Sequence, residues 1–308
     1  MKRINLFQRL TLSLPELEDY YCRQRKYYFE QGKHLKYIQL RKAFQPLFVR
    51  LLAIDRVFRK QTITILGAKP KYSGQVIYAC THIGENDLED IYEVLGKACW
   101  WFIGDPCILY KSLSGLLLYL NGQIFMEVAD KADRHIAYLR AVELLKKGGS
   151  LMIFPEGARN GSENLPVMPL FSGTAKMSRE TNIRIVPVAI EQYDRKFIIK
   201  FGQALFPENY CNDTEMTRDL RDALATLKWD IWESEGIQSR SSFPENYSVQ
   251  FVKEFEKRIN PWDTLETVER ARFHTHEETE QREAFAHLAH LDPSAENAFL
   301  LRDNLSPR

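Results

Sequence analysis

Apolar residues between Leu14 and Lys60 recur at intervals of three and four among many lysines and arginines, as in Leu47, Leu51, Ile54 and Phe58 with Arg50, Arg56, Arg59 and Lys60 between them. Residues so spaced share one face of a helix, which predicts one or two amphipathic helices. Such a helix either packs its apolar stripe on the body of the protein or lies in a membrane interface. From Thr62 the pattern changes. Short apolar runs at Thr62 to Leu66, Val76 to Cys80, Trp100 to Ile103, Gln123 to Glu127, Leu151 to Phe154, Ile185 to Ile190 and Phe197 to Phe201 read as strands. Helical segments at Asp87 to Ala98, Asp133 to Lys147 and Gly173 to Glu180 alternate with them, and Gly148-Gly149 stops the second. Strands alternating with helices predict an α/β sheet. Beyond about Glu208 the sequence becomes strand-poor, with helices expected near Thr214 to Glu235 and Thr264 to Leu291 and disorder from about Pro293. The chain therefore divides into a helical arm over 1–61, an α/β domain over 62–207 and a helical extension over 208–308.

Charge sharpens that division. The whole chain carries a formal +1, yet residues 1–71 hold 16 Lys+Arg against 5 Asp+Glu, and residues 205–308 hold 12 against 21. The basic arm and the acidic extension either neutralise each other by packing or act outward; an outward basic arm suits anionic lipid headgroups. Nucleic acid is the weaker partner, because no nucleic-acid motif accompanies the charge. No stretch reaches the roughly 20 apolar residues of a spanning helix, and charges interrupt the N-terminal apolar residues before a signal-peptide core forms. The expectation is a cytoplasmic protein, peripheral on the inner face of the membrane. The five cysteines are scattered and lack metal-ligand spacing, which argues against a disulfide framework or structural zinc and for a reducing compartment. His274, His276, His287 and His290 cluster in the extension without a closing ligand set and read as a solvated helix face.

Two segments carry candidate chemistry. In the first, the apolar run Val76 to Cys80 delivers His82 into a loop before a helix that begins near Asp87. Strand ends facing helix starts are where α/β folds place their sites. An imidazole there can take a proton from a hydroxyl if a carboxylate orients it and stabilises the cation, and Asp87 is placed to do so or to serve only as the helix N-cap. In the second, Leu151 to Phe154 ends in Pro155-Glu156-Gly157 and presents Arg159, where glycine permits close backbone approach and a guanidinium suits a phosphate.

The order His82-x4-Asp87, Gly122-x-Ile124-Phe125, Phe154-Pro155-Glu156-Gly157-x-Arg159, Phe171-x-Gly173 and Val186-Pro187-Val188 resembles the glycerolipid acyltransferases, typified by 1-acylglycerol-3-phosphate acyltransferase. The resemblance spans about Ile65 to Phe201. It implies a central mixed sheet flanked by helices, and transfer of a fatty acyl group from acyl-CoA or acyl-carrier protein to a lyso-glycerolipid hydroxyl in phospholipid biosynthesis. By the same resemblance His82 is the base and Asp87 its partner. Glu156 and Gly157 shape the acceptor pocket, Arg159 binds its phosphate, Gly122 belongs to the substrate site, and Pro187 orients a strand beside it. Direct transfer needs no cofactor, metal or nucleophilic Ser or Cys; the acyl donor is a co-substrate. The family's usual Asp-Arg pair in the second block is replaced here by Glu127 and Val128, which leaves three ways to meet the acceptor: Lys131 or Arg134 reaches back from the following loop, Arg159 alone suffices, or the headgroup is not a phosphate or is differently placed. The alternatives are an acyltransferase for another lyso-lipid, a non-catalytic lipid-binding protein of the same fold, and a soluble hydrolase, which lacks a nucleophile elbow. The apolar stretch Trp100 to Leu120 suits core packing, an acyl-chain tunnel or a membrane contact.

Overall fold

A computed structural model describes residues 4–33, 35, 37–84, 86–104, 106–162, 165–236, 242, 244–258, 265–276 and 278–279. The chain begins with helices α1 (Leu6–Thr11), α2 (Leu14–Glu30) and α3 (Ile38–Phe58), followed by β1 (Thr62–Ile65), β2 (Ile77–Cys80), α4 (Asp87–Leu95) and β3 (Trp100–Gly104). It continues through α5 (Leu113–Asn121), β4 (Ile124–Met126), α6 (Lys131–Lys146), β5 (Leu151–Ile153), α7 (Gly173–Thr181), β6 (Ile185–Tyr193) and β7 (Lys196–Phe201). The last described helices are α8 (Asp213–Glu235), α9 (Tyr247–Arg258) and α10 (Leu265–Ala271).

The sheet has seven strands in the order β1-β7-β6-β2-β5-β3-β4. The pairs are parallel except β6 with β7, joined by a tight hairpin at Asp194, so β1 and β7 run against the other five. Parallel strands covered on both faces read as continuous apolar runs, and β2, β5 and the first six residues of β6 are of that kind. Alternate side chains serve opposite faces. Ile77 and Ala79 pack with Leu144 and Leu145 of α6 and Met216, Leu220 and Leu224 of α8, while Tyr78 and Cys80 pack with Ile91, Tyr92 and Leu95 of α4. The fold is thus three layers. Through these residues α8 packs into the core of the sheet. Leu227 and Ile231 extend the contact to Ala189 and Ile198.

The helical arm is tied down by specific polar contacts. Arg25 of α2 places a fork on Asp133 of α6, at 2.6 to 3.1 Å, and also reaches Glu18 and the Tyr110 hydroxyl. Arg56 of α3 forks onto Glu93 of α4, and buried Gln45 accepts the Cys99 N–H at 2.7 Å. The opposite stripe of α3, Leu40, Phe44, Leu47, Leu51, Ile54 and Phe58, stays exposed. Two helices depart from expectation. α4 stops three residues early because Gly96 takes the left-handed conformation that ends helices. α5, unanticipated within the run from Trp100, is framed by Ser112, which caps its N-terminus, and Gly122 at φ 88°. That run therefore splits: Trp100 and Trp101 are core, whereas Leu113, Leu117 and Leu120 are exposed. Of the C-terminal histidines, His274 and His276 lie among the described residues and His287 and His290 outside them, as do half of the helix expected over Thr264 to Leu291 and the segment from Pro293.

Asp133 is fully buried and also accepts the Glu127 N–H. Removing Arg25 would strip that carboxylate of its cation, so Arg25→Ala should cost about 3–5 kcal/mol. Urea unfolding followed by circular dichroism checks this; a shift under about 1 kcal/mol would mean that α2 docks by apolar contact alone.

Candidate active site

β2 hands the chain to Thr81, whose backbone N–H reaches the Val188 carbonyl and whose hydroxyl accepts the Ile190 N–H at 3.0 Å. This double tie to β6 fixes the start of the loop, and His82 follows immediately. Its ring lies on the Phe154 ring, centroids 4.2 Å apart and 22° from parallel. Nδ1 sits 2.7 Å from Oδ2 of Asp87, the first residue of α4. The same carboxylate oxygen accepts the backbone N–H groups of Ile83 at 2.7 Å and Gly84 at 2.9 Å. Asp87 is therefore not the N-cap, a place Asn86 takes; it braces the loop that carries its partner.

Burial pushes the Asp87 carboxyl up, but His82 and the Gly84 and Ile83 N–H groups outweigh it, and the net shift is down. An ionised carboxylate only accepts hydrogen bonds. Nδ1 must then carry the imidazole proton, which leaves the lone pair on Nε2. With 19% of its side chain exposed, His82 is open to a substrate while Asp87 is not. The pair can extract a proton from a hydroxyl and stabilise the resulting imidazolium.

The second motif wraps the first. Glu156 is wholly buried, and its two oxygens accept the His82 N–H at 3.1 Å and the Met168 N–H at 2.9 Å. Its side chain is spent on backbone, so it shapes the site by holding the histidine loop. Burial, opposed by those N–H groups and Lys228, pushes its carboxyl up to about 7. Gly157 stands at φ 76°, and a Cβ there would lie 2.3 Å from the Phe171 ring, so the turn admits glycine alone. The Asn160 N–H donates to the His82 carbonyl at 2.7 Å, which sets Arg159, partly buried, in the turn directly beside the histidine. Pro187 lies on β6 opposite Ala79, and its carbonyl accepts the Gly202 N–H.

The other candidates are placed elsewhere. Lys131 and Arg134 open α6 on the same sheet edge as His82, but β5 and β3 intervene, and three strand spacings amount to about 14 Å. The Arg134 guanidinium donates to the Val128 carbonyl. Val128 itself packs against Gly104, where an added Cβ would be 2.9 Å from its methyl. Gly122 precedes β4 at the opposite end of the strands from His82, whose loop follows the end of β2. Sequence reading missed the Phe154 stack, helix α9 and the packing of the C-terminal helices on this segment: Phe255 and Val268 pack on Ala158 and Met168, and Phe273 meets Phe171 at 5.1 Å. The apolar spacing of Phe251 and Phe255 was the available signal.

Glu156→Gln would set an amide NH2 against one of two backbone N–H groups, at a cost of about 1–3 kcal/mol. A carboxyl raised from 4.5 to about 7 contributes its protonation-linked stability fully below pH 4.5 and loses it as pH rises through 7. The stability difference between wild type and Glu156→Gln should therefore shrink across that window; calorimetric unfolding at several pH values checks it, and a difference that widens contradicts the assignment.

Residues 59–191 match the pattern of the family described as Acyltransferase. The chain is 26% identical over 154 residues to a chloroplastic 1-acyl-sn-glycerol-3-phosphate acyltransferase of Arabidopsis thaliana, 49% of this chain and 42% of that one. It is 23% identical over 168 residues to the 1-acyl-sn-glycerol-3-phosphate acyltransferase of Saccharomyces cerevisiae, 49% of this chain and 55% of that one. It thus spans about half the length of the curated relatives it matches. The crystal structure of the 1-acyl-sn-glycerophosphate acyltransferase of Thermotoga maritima shares the fold, with a TM-score of 0.52 at 16% identity over 74% of this chain and 100% of that one. The mixed sheet, the His82 loop and the Glu156 turn all lie within the part of the chain that these matches cover, and over that part the chain is similar to the 1-acyl-sn-glycerol-3-phosphate acyltransferases.

Proposed function

We propose that this protein transfers a fatty acyl group from an acyl thioester, of CoA or acyl-carrier protein, to the free hydroxyl of a lyso-glycerolipid. The observation that carries the reading is the 2.7 Å contact between His82 Nδ1 and an ionised, buried Asp87, which leaves Nε2 as the base. Nε2 takes the hydroxyl proton as the oxygen attacks the thioester carbonyl. The tetrahedral intermediate expels the thiolate, the imidazolium returns the proton to sulfur, and an ester and a free thiol result. Protein groups supply both proton transfers, so the scheme uses no cofactor beyond the acyl donor. The named relatives favour 1-acylglycerol-3-phosphate as acceptor, and Arg159 beside the histidine suits its phosphate. Val128, in place of an arginine, favours a second reading in which another lyso-lipid is the acceptor.

Phospholipid synthesis needs access to a bilayer. Among the described residues no helix is long and apolar enough to cross a membrane. The exposed stripe of α3 recurs at the spacing of one helix face and neighbours the basic residues of the arm, which supports peripheral docking on the anionic inner face of a membrane.

His82→Ala should lower turnover by about 10² to 10⁴ without unfolding the protein, the range for losing a general base. The assay is acyl-CoA with a panel of lyso-lipids, the product identified by mass spectrometry; acylation by His82→Ala at the wild-type rate would end the reading. Arg159→Ala should raise KM for phosphate-bearing acceptors more than for neutral ones. For the membrane, Phe44→Gln, Leu51→Gln and Phe58→Gln together should abolish sedimentation with anionic vesicles, which in wild type should weaken as the screening length falls from about 10 Å at 0.1 M salt to about 3 Å at 1 M. Equal sedimentation of the two proteins would remove α3 as the docking face.

A further inference from the structure

A cavity of about 550 Å³ lies at the edge of the sheet away from His82, between α2, the start of α3, α5, the entry to β4 and α6. Its volume is that of a small-molecule site. Its lining includes Arg9, Arg25, Lys33, Arg41 and Arg140 and, among the described residues, no carboxylate. Arg9 is spent on the Tyr110 carbonyl, and Arg25 takes up Asp133 and Glu18. Arg41 and Arg140 have no such partner: neither guanidinium makes a hydrogen bond or ion pair among the described residues, and Nε of Arg140 is sealed from solvent without an acceptor. Gln123, 2% exposed, accepts the Trp101 N–H at Oε1 and leaves Nε2 buried and without a partner among the described residues, in the same wall.

Donors without acceptors at a buried site are costly, and like charges compound the cost. Burial first, then Arg25 and Arg41, push Arg140 down to about 10 against a smaller upward pull from Asp133, which Arg25 already holds, and burial lowers Arg41 as well. The chain nonetheless makes room for them. Gly122 stands at φ 88°, and a Cβ there would fall 2.5 Å from Cδ and 2.9 Å from Nε of Arg41, so the glycine seats the guanidinium. An anion is the missing partner. The rim tells what the anion is attached to: Leu116, Tyr119 and Leu120 of α5 line the cavity and are also exposed on the surface.

We propose that this cavity is a second anion site, distinct from the acyl-transfer centre, which takes the phosphate of an amphiphile between Arg41, Arg140 and Gln123 and its first apolar carbons against α5. The phosphate assignment stands on the cavity alone; its origin in a bilayer lipid rests on the membrane reading above. Two planar guanidinium groups and an amide N–H match the several oxygens of a phosphate.

Titration calorimetry with dihexanoyl phosphatidic acid, kept below its micelle concentration, tests the site without a membrane. Wild type should bind it, and Arg140→Gln and Arg41→Gln should each weaken binding by about tenfold or more. Gly122→Ala should do the same by displacing Arg41. Binding lost in Arg159→Ala but kept in Arg140→Gln would put the ligand beside His82 and overturn the proposal, as would no binding to wild type. Inorganic phosphate should bind more weakly; equal affinity would overturn the amphiphile in favour of a free-phosphate site. Thermal unfolding separates a structural role. Without ligand, Arg140→Gln should hold or raise Tm, because a half-buried cation with a sealed, unpartnered Nε is removed, and a fall of several degrees would show a guanidinium needed for packing and overturn the assignment. The vesicle sedimentation of the α3 variant reads the membrane question independently.

Discussion

The Asp87 carboxylate is enclosed by protein and still ionised, and the geometry at the end of β2 follows from what that demands. A buried anion needs several donors close at hand. It finds them in the imidazole and in two N–H groups of the loop that carries the imidazole, so the charge that orients His82 also folds the segment that presents it. Glu156 does the same from the other side, through the His82 N–H and the Met168 N–H. One short loop is gripped by two buried carboxylates from chain segments about seventy residues apart. The His82 imidazole is positioned by the backbone as much as by its own hydrogen bond, the rigidity that the proposed proton transfer would require.

Around this centre the chain's ends serve different purposes. The arm is held by ion pairs on one side and keeps an apolar stripe bare on the other. The C-terminal helices pack Phe255 and Val268 on the segment that follows the Glu156 turn, so the described part of the acidic extension braces the site.

The sheet was open to sequence reading because its central strands are continuous apolar runs, and each of the seven runs became a strand. α5 was hidden for a related reason: Leu113 and Leu116 to Leu118 offer little polar alternation, so only Ser112 and Gly122 marked a helix there. Family resemblance brought out His82, Asp87 and the Glu156 turn, but local spacing could not reveal that Glu156 faces backbone, since its partners lie 74 and 12 residues away. Arg56 and Arg59 read as surface charge, whereas Glu93 and Asp55 claim them. Gly122 sits within a family motif, yet the side chain it accommodates comes from α3, a contact no linear pattern contains.

The edge position of β1 has a consequence for how the molecule is made. β1 follows α3 directly, and its neighbour in the sheet is β7, over 130 residues later in sequence, with Thr62 paired to Lys196. A contact so distant closes late, because the loop entropy must be met before the pairing can reward it. During synthesis the strand that anchors the base of α3 has no sheet partner until the β6–β7 hairpin has left the ribosome. Over that interval the apolar stripe of α3 is attached to an unfinished sheet, and chaperones or a lipid surface have a window in which to meet it before the domain is complete.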